Sequence, residues 1–552
     1  MDNIRLLLFG ALALLLMMIW QAWQRDYGPK RQPAVEAPVS SAQPESVDTP
    51  GAVPNVQAVA SDGAAPTAVP QTIEATTAPT IKITTDLLDI EIGTQGGDIL
   101  NVYLRDYPMA LETPDEKFKL LNSDAVNRFV AQSGLIGADK ETAPNHEALF
   151  QATQQQYRLA EGEDAVEAVL TWEHPSGIKV NKRYIFKRGS YEIELRHEVE
   201  NSSGQNWAAR EYSQLQRGRP PEGEGNRLLY TYTGSAIYTQ EGKYEKYSFD
   251  DMDEVSLSRD TRGGWVSMIQ HYFLGAWIPP ADKKMHLYSN KLPNNRYLVG
   301  MYSPLITVAD GARYEFNSRF FIGPKLQDEM EATSPGLELT VDYGWLTVLA
   351  KPIYWLLQQM HSIFHNWGWA IIFLTIIIKA AFFKLSEASY KSMANMRKLA
   401  PRLKALKDRY GDDKAKMNQA TMEMYKKEKV NPLSGCLPIM VQIPVFIALY
   451  WVLLESVELR QAPFIFWLKD LSLQDPYFVL PVIMAASMFV QQKLNPAPVD
   501  PMQAKIMMSL PFVFGIFFAF FPSGLVLYWV INNLISITQQ YIITKRIEQA
   551  AG

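Results

Sequence analysis

Residues Trp367–Phe383 read WGWAIIFLTIIIKAAFF, a stretch in which Lys379 is the only charge. About 20 apolar residues are needed for a helix to cross the hydrocarbon core of a bilayer. A run this apolar and this long therefore reads as a membrane helix and puts the chain in the α-helical membrane class. Four more spans follow downstream, near Leu437–Ser456, Pro476–Val490, Ile506–Phe521 and Leu525–Ile543. The turn Pro522-Ser523-Gly524 lies so tightly between the last two that they are expected to form an antiparallel hairpin. Upstream, Leu6–Trp20 is a sixth apolar run; Trp20-Gln21-Ala22-Trp23 follows it in place of a small-x-small cleavage site. It is expected to be an uncleaved signal anchor over 1–27.

Basic loops orient such spans, because cytoplasmic loops collect Lys and Arg. Lys384–Lys429 holds 13 Lys or Arg against six Asp or Glu, and Lys545 and Arg546 follow the last span. The opposite loop, Val457–Asp475, balances Arg460 and Lys469 with Glu458, Asp470 and Asp475. Both termini are thus expected in the cytoplasm and the region between the first two spans outside. The 384–429 segment reads as two helices of a basic cytoplasmic hairpin, bent near Pro401. Its charge suits anionic lipid, ribosomal RNA or an acidic protein surface, and equally suits a purely topological role.

The bulk figures hide this division: 552 residues, 47% hydrophobic, net charge −5. Residues 28–80 are rich in Pro, Ala, Val, Thr and Ser and read as a disordered tether. From 81 to 340 short alternating segments take over. Tyr191, Ile193, Leu195, His197 and Val199 fall on one face of a strand, and five charged residues on the other. His174-Pro175-Ser176-Gly177 makes a turn between two more. Many such strands predict a large external β-sandwich. Residues 341–366 carry apolar side chains at helical spacing and are expected to lie in the membrane interface, the alternative being a helix packed on the sandwich. His361 and His365 have a spacing that can bind zinc, but interfacial polar residues explain them better and no metal or other cofactor is expected. The single cysteine, Cys436, rules out an intrachain disulfide.

Lys379 carries the most information. A cation in hydrocarbon costs about 3 kcal/mol or more unless it reaches water or a partner. It lies about four residues, or ~6 Å of helix, from the cytoplasmic end of its span, within snorkelling reach. Position alone does not choose between snorkelling and a wet site. Its company does: Thr375, Gln442, Asn532, Asn533 and Ser536 are polar at similar depth, and no acidic residue of the spans is near. Neutral hydrogen-bonding groups around an unpaired cation favour a hydrated groove. Such a groove lowers the cost of moving a client's polar segment across the bilayer, at several kcal/mol per charge. No G-x-x-x-x-G-K phosphate loop is present to drive the process with ATP.

Several motifs resemble a known family. Asn431-Pro432-Leu433-Ser434-Gly435-Cys436-Leu437-Pro438 with Gln442-Ile443-Pro444-Val445-Phe446, then Ser456-Val457-Glu458-Leu459-Arg460, Asp500-Pro501-Met502-Gln503 and Phe521-Pro522-Ser523-Gly524-Leu525, are similar to the core of the YidC family of insertases. Trp20-Gln21-Ala22-Trp23 and the large external region resemble its Gram-negative form. The resemblance implies a five-span insertase core over 367–552, a groove open to cytoplasm and lipid, and a mutarotase-like sandwich outside. It also implies nascent membrane proteins as clients, the lipid bilayer as workplace, and cooperation with the Sec translocon (SecYEG), SecDF and the ribosome. Lys379 stands where the family usually has Arg, which keeps the charge and loses the guanidinium fork. Tyr528 and Trp529 fall where client-contacting aromatics occur, Trp529 in place of a Tyr. The expected activity is non-enzymatic insertion, with no small-molecule substrate. A secondary transporter and a membrane-anchored carbohydrate enzyme are the competing classes; internal repeats and paired catalytic carboxylates, which would favour them, are not evident.

Overall fold

The computed structural model describes residues 78–138, 142–220, 231–410, 413–428, 437–495 and 501–549. The expected signal anchor, nearly all of the tether, the Asn431–Cys436 motif and Asp500 lie outside the described residues.

Strands between Thr80 and Pro324 form an eleven-stranded and a nine-stranded sheet. Side chains from both share one apolar core, including Ile90, Val102, Leu215, Trp265, Trp277 and Phe320. The alternation that predicted the sandwich is seen directly in Glu192–Asn201, whose buried positions are Ile193, Leu195, His197, Val199 and Asn201. That strand lies between Ile178–Lys187 and Arg313–Pro324, pairing antiparallel with both. The predicted turn closes with Gly177 N–H donating to His174 O at 3.0 Å. Gly177 sits at φ +95, and a Cβ there would come within 2.5 Å of Ser202 O. Only glycine meets both conditions without strain. Two short helices, α1 (Phe249–Glu254) and α2 (Gln327–Thr333), decorate the sandwich.

The rest is helical: α3 (Thr347–Phe364), α4 (Trp367–Ala381), α5 (Phe383–Lys398), α6 (Ala400–Tyr410), α7 (Lys414–Lys427), α8 (Leu437–Glu455), α9 (Val479–Leu494), α10 (Pro501–Phe518) and α11 (Ser523–Gln549). Helix α3 packs on α4 and α8, with Ala350, Ile353, Tyr354 and Leu357 turned inward and Val348, Trp355 and Ile363 exposed. It therefore packs on the helical core.

Two expectations change. The segment after Lys384 bends just before Pro401 as read, the break at Leu399 making three helices in all. The first of them, α5, packs against α11 and α8, so only α6 and α7 form the basic hairpin. The last two helices are joined by the expected tight turn, yet each packs chiefly on α9 instead of on the other. Gly515 of α10 makes the close approach possible, since a Cβ there would sit 2.8 Å from the Ala485 Cβ.

Among the described residues no single helix is long and apolar enough to cross a membrane. Helices α4 and α5 meet that test together, but they join at a 66° bend. Helix α4 starts from the Asn366 cap, whose side chain accepts from Trp369 N–H at 3.2 Å. At 15 residues it rises about 22 Å.

Sandwich and helices meet through polar contacts at the far end of α8. Lys325 Nζ, at the end of the last strand, lies 2.7 Å from Glu455 Oε2, and both side chains are buried. His271 Nε2 approaches Leu454 O at 3.1 Å. Arg460 donates to Pro108 O at 2.7 Å and covers the rings of Phe118 and Phe273. Tyr354 of α3 donates to Glu458, whose carboxyl is held above the usual range by burial.

Candidate functional site

Lys379 is 3% exposed, enclosed by α4, α5, α8 and α11. Its Nζ donates to Ser536 Oγ of α11 at 2.7 Å and reaches Gln442 Oε1 of α8 at 3.5 Å. Ser536 in turn donates to Asn532 O one turn back, at 2.7 Å. A hydroxyl has one proton and two lone pairs, so Ser536 fits both roles at once. No carboxylate among the described residues lies in ion-pair contact with Lys379. The cation is thus held by neutral oxygens alone.

The other expected site residues separate. Thr375, fully buried, donates to Ile371 O of its own helix at 2.6 Å and is satisfied there. Asn533 faces α9, donating to Ser487 Oγ at 3.1 Å. Asn532 enters through its carbonyl, and its side chain is half-buried. Tyr528 and Trp529 stack and edge against Phe446 of α8, with ring centroids 6.1 and 4.6 Å apart. They lie about two helical turns, or ~12 Å of rise, from Ser536. Trp529 also meets Phe518 at 5.1 Å. The polar pair and the aromatic pair are therefore two successive levels of one helix, not one cluster.

Sequence reasoning missed the contribution of α5. Ser386 and Ser389 are both 2% exposed, and Tyr390 of the same helix lies beside the Ser536 hydroxyl. Their spacing of three and four residues was the available signal; the surrounding lysines hid it by marking the helix as one arm of a basic cytoplasmic hairpin. His361 does not look like a ligand: its ring stacks on Trp367 at 3.9 Å. Among the described residues no cluster of His, Cys, Asp and Glu could hold a metal.

Residues 80–356 match the model of the YidC periplasmic domain, and residues 359–550 match that of the 60Kd inner membrane protein. A membrane protein insertase YidC of Methylococcus capsulatus is 51% identical over all of this chain and 99% of its own length. One from Thioalkalivibrio sulfidiphilus is 52% identical over the same shares. The chain belongs to the YidC family. Its sandwich is the family's periplasmic domain, and its helices are those of an inner membrane protein. A crystal structure of an active YidC insertase with its first transmembrane domain resolved aligns over 85% of this chain and 93% of that one, at 18% identity and a TM-score of 0.40.

Proposed function

We propose that this chain is a non-enzymatic membrane protein insertase and chaperone. It receives segments of nascent membrane proteins from the cytoplasm and passes them sideways into the bilayer. Clients are delivered by the ribosome, and the chain works alone or beside the Sec translocon SecYEG with SecDF. Both termini are cytoplasmic, residues 1–27 anchor the chain, and five spans after Trp367 form the working core.

One observation carries this reading: a buried cation, Lys379, held by Ser536 and Gln442 with no counter-charge. A purely structural lysine at this depth gains most from a carboxylate, since neutral partners offset less of the several kcal/mol lost on leaving water. A site with neutral partners keeps its charge available. A client's acidic residue or polar terminus entering between α4, α8 and α11 replaces the Ser536 contact with an ion pair. Its apolar stretch then slides against Tyr528, Trp529 and Phe446 toward lipid. Burial of the client's apolar surface, about 25 cal/mol per Å2, supplies the driving force.

The test uses the full chain reconstituted in liposomes with a short single-span client. Lys379→Arg should insert at near the original rate, and Lys379→Glu should insert severalfold less at equal protein level. Equal insertion by the Glu variant rejects a role for the charge. Solute uptake or sugar turnover by the original protein would point instead to a transporter or a carbohydrate enzyme.

A further inference from the structure

Helices α5 and α11 line a half-open recess of about 600 Å3. Its rim carries three cations, Lys384 and Lys391 from α5 and Arg546 from the last turn of α11. One acid, Glu387, faces them, at 2.9 Å from Lys391 and 3.9 Å from Lys384. Two positive charges are left uncompensated there. Beside this rim the wall is mostly apolar, with Leu534, Ile535, Ile542 and Ile543 of α11 around Thr538 and Gln539; Leu534 and Ile542 are 45% and 43% exposed. A cationic rim above an apolar wall does not suit a soluble anion, which leaves the wall wet. Nor does it suit a plain acyl chain, which leaves the rim unpaired.

We propose that this recess binds the headgroup and upper acyl chains of one anionic phospholipid. Its volume falls in the range of small-molecule sites, roughly 300–1,000 Å3. Basic pockets between membrane helices match anionic headgroups, each Lys or Arg adding about a factor of five in affinity near an anionic surface. The bend between α4 and α5 comes just before Lys384, which lines the recess together with Arg546. Phosphate is placed between those two side chains, and the chains of the lipid lie along Leu534 and Ile542. A bound lipid in this position fills the recess between α5 and α11. The inference goes beyond insertion and is read without a client.

The experiment titrates the purified full chain in mild detergent with a phosphatidylglycerol or a phosphatidylcholine, counting bound lipid by native mass spectrometry. One phosphatidylglycerol should be retained preferentially. Lys384→Ala with Arg546→Ala should weaken it about tenfold or more, and Ile542→Trp, which fills the wall without changing charge, should displace it as well. Lys426→Ala with Lys427→Ala on α7 should leave it unchanged. Equal retention of phosphatidylcholine, unchanged retention by both recess variants, or equal loss in the α7 control overturns the proposal. A lipid displaced by an acidic peptide at low micromolar concentration would also overturn it, by assigning the recess to protein.

Discussion

The sandwich and the helical core each bury a lysine, and they treat it differently. Lys182, fully buried between the sheets, donates to Gly96 O at 2.8 Å and Ser133 O at 2.9 Å, with Phe150 and Tyr184 rings beside it. Asp98 lies close enough for its charge to be felt, yet burial still lowers the Lys182 ammonium's pKa and raises that of Asp98. Nearby, His197 and Glu211 pair at 3.1 Å inside the same core. The Lys182 ammonium is answered by two fixed backbone carbonyls. Lys379 is answered by two side-chain oxygens on two different helices. Fixed backbone acceptors make a lysine part of the architecture, whereas side chains on separate helices release it when those helices shift.

The seam between the two regions should show the largest effect. Lys325 and Glu455 are 3% and 5% exposed and form the one buried Lys–carboxylate ion pair among the described residues. Glu455→Leu strands a buried ammonium, which costs about 3–5 kcal/mol. Adding Lys325→Met should restore most of that loss, because an apolar pair removes the stranded charge. Unfolding of the full chain in detergent measures both. A double variant no more stable than Glu455→Leu would show that the seam depends on charge rather than packing.

A smaller effect should come from pH at the same seam. Burial lowers His271 from its ordinary 6.5 to about 4, the nearby Glu455 charge opposing this only in part. The unfolded chain then binds the proton first. Stability from this group is present above pH 6.5 and is lost as pH falls toward 4. Between pH 7 and pH 5 the loss is about 2 kcal/mol. Asp98, raised to about 7, moves the other way, since its folded form takes up a proton as pH falls. The clean measurement is therefore a difference: the original protein against His271→Gln, each unfolded at pH 7 and pH 5. The two should diverge on acidification, and parallel curves would mean that His271 is not neutral in the fold.

Much of this contrast was legible in the sequence. Period-two alternation at Glu192–Asn201 is local, so strand, buried face and register follow from it. The apolar runs coincide with helices to within about six residues, because apolar runs are local too. Gln442 and Ser536 were assigned to Lys379 from depth alone, since residues at equal depth on neighbouring spans meet. Depth does not tell which way a helix is turned, and Asn533 rotates toward Ser487 instead. The Lys325–Glu455 pair is 130 residues apart in the chain, with no local pattern to announce it. Helix α5 was expected, but its inward polar face was hidden by its charge, because the lysines outweighed the buried Ser386 and Ser389.

The smallest expected effect on stability tests the contrast most sharply. Lys379→Met keeps the length of the side chain and removes its charge. It leaves Ser536 still donating to Asn532 O and Gln442 half-buried, with access to solvent. No carboxylate is stranded, and the desolvation cost of the ammonium disappears. The unfolding free energy should therefore change by no more than about 1 kcal/mol, in either direction. Insertion should nonetheless fall, because a client's acidic group meets no cation on arrival. If Lys379→Met instead destabilised the chain as strongly as Glu455→Leu, Lys379 would belong with Lys182 among the lysines that hold the fold together. A stable variant that cannot insert would place it in a different role, as a charge kept buried and unpaired so that another molecule can use it.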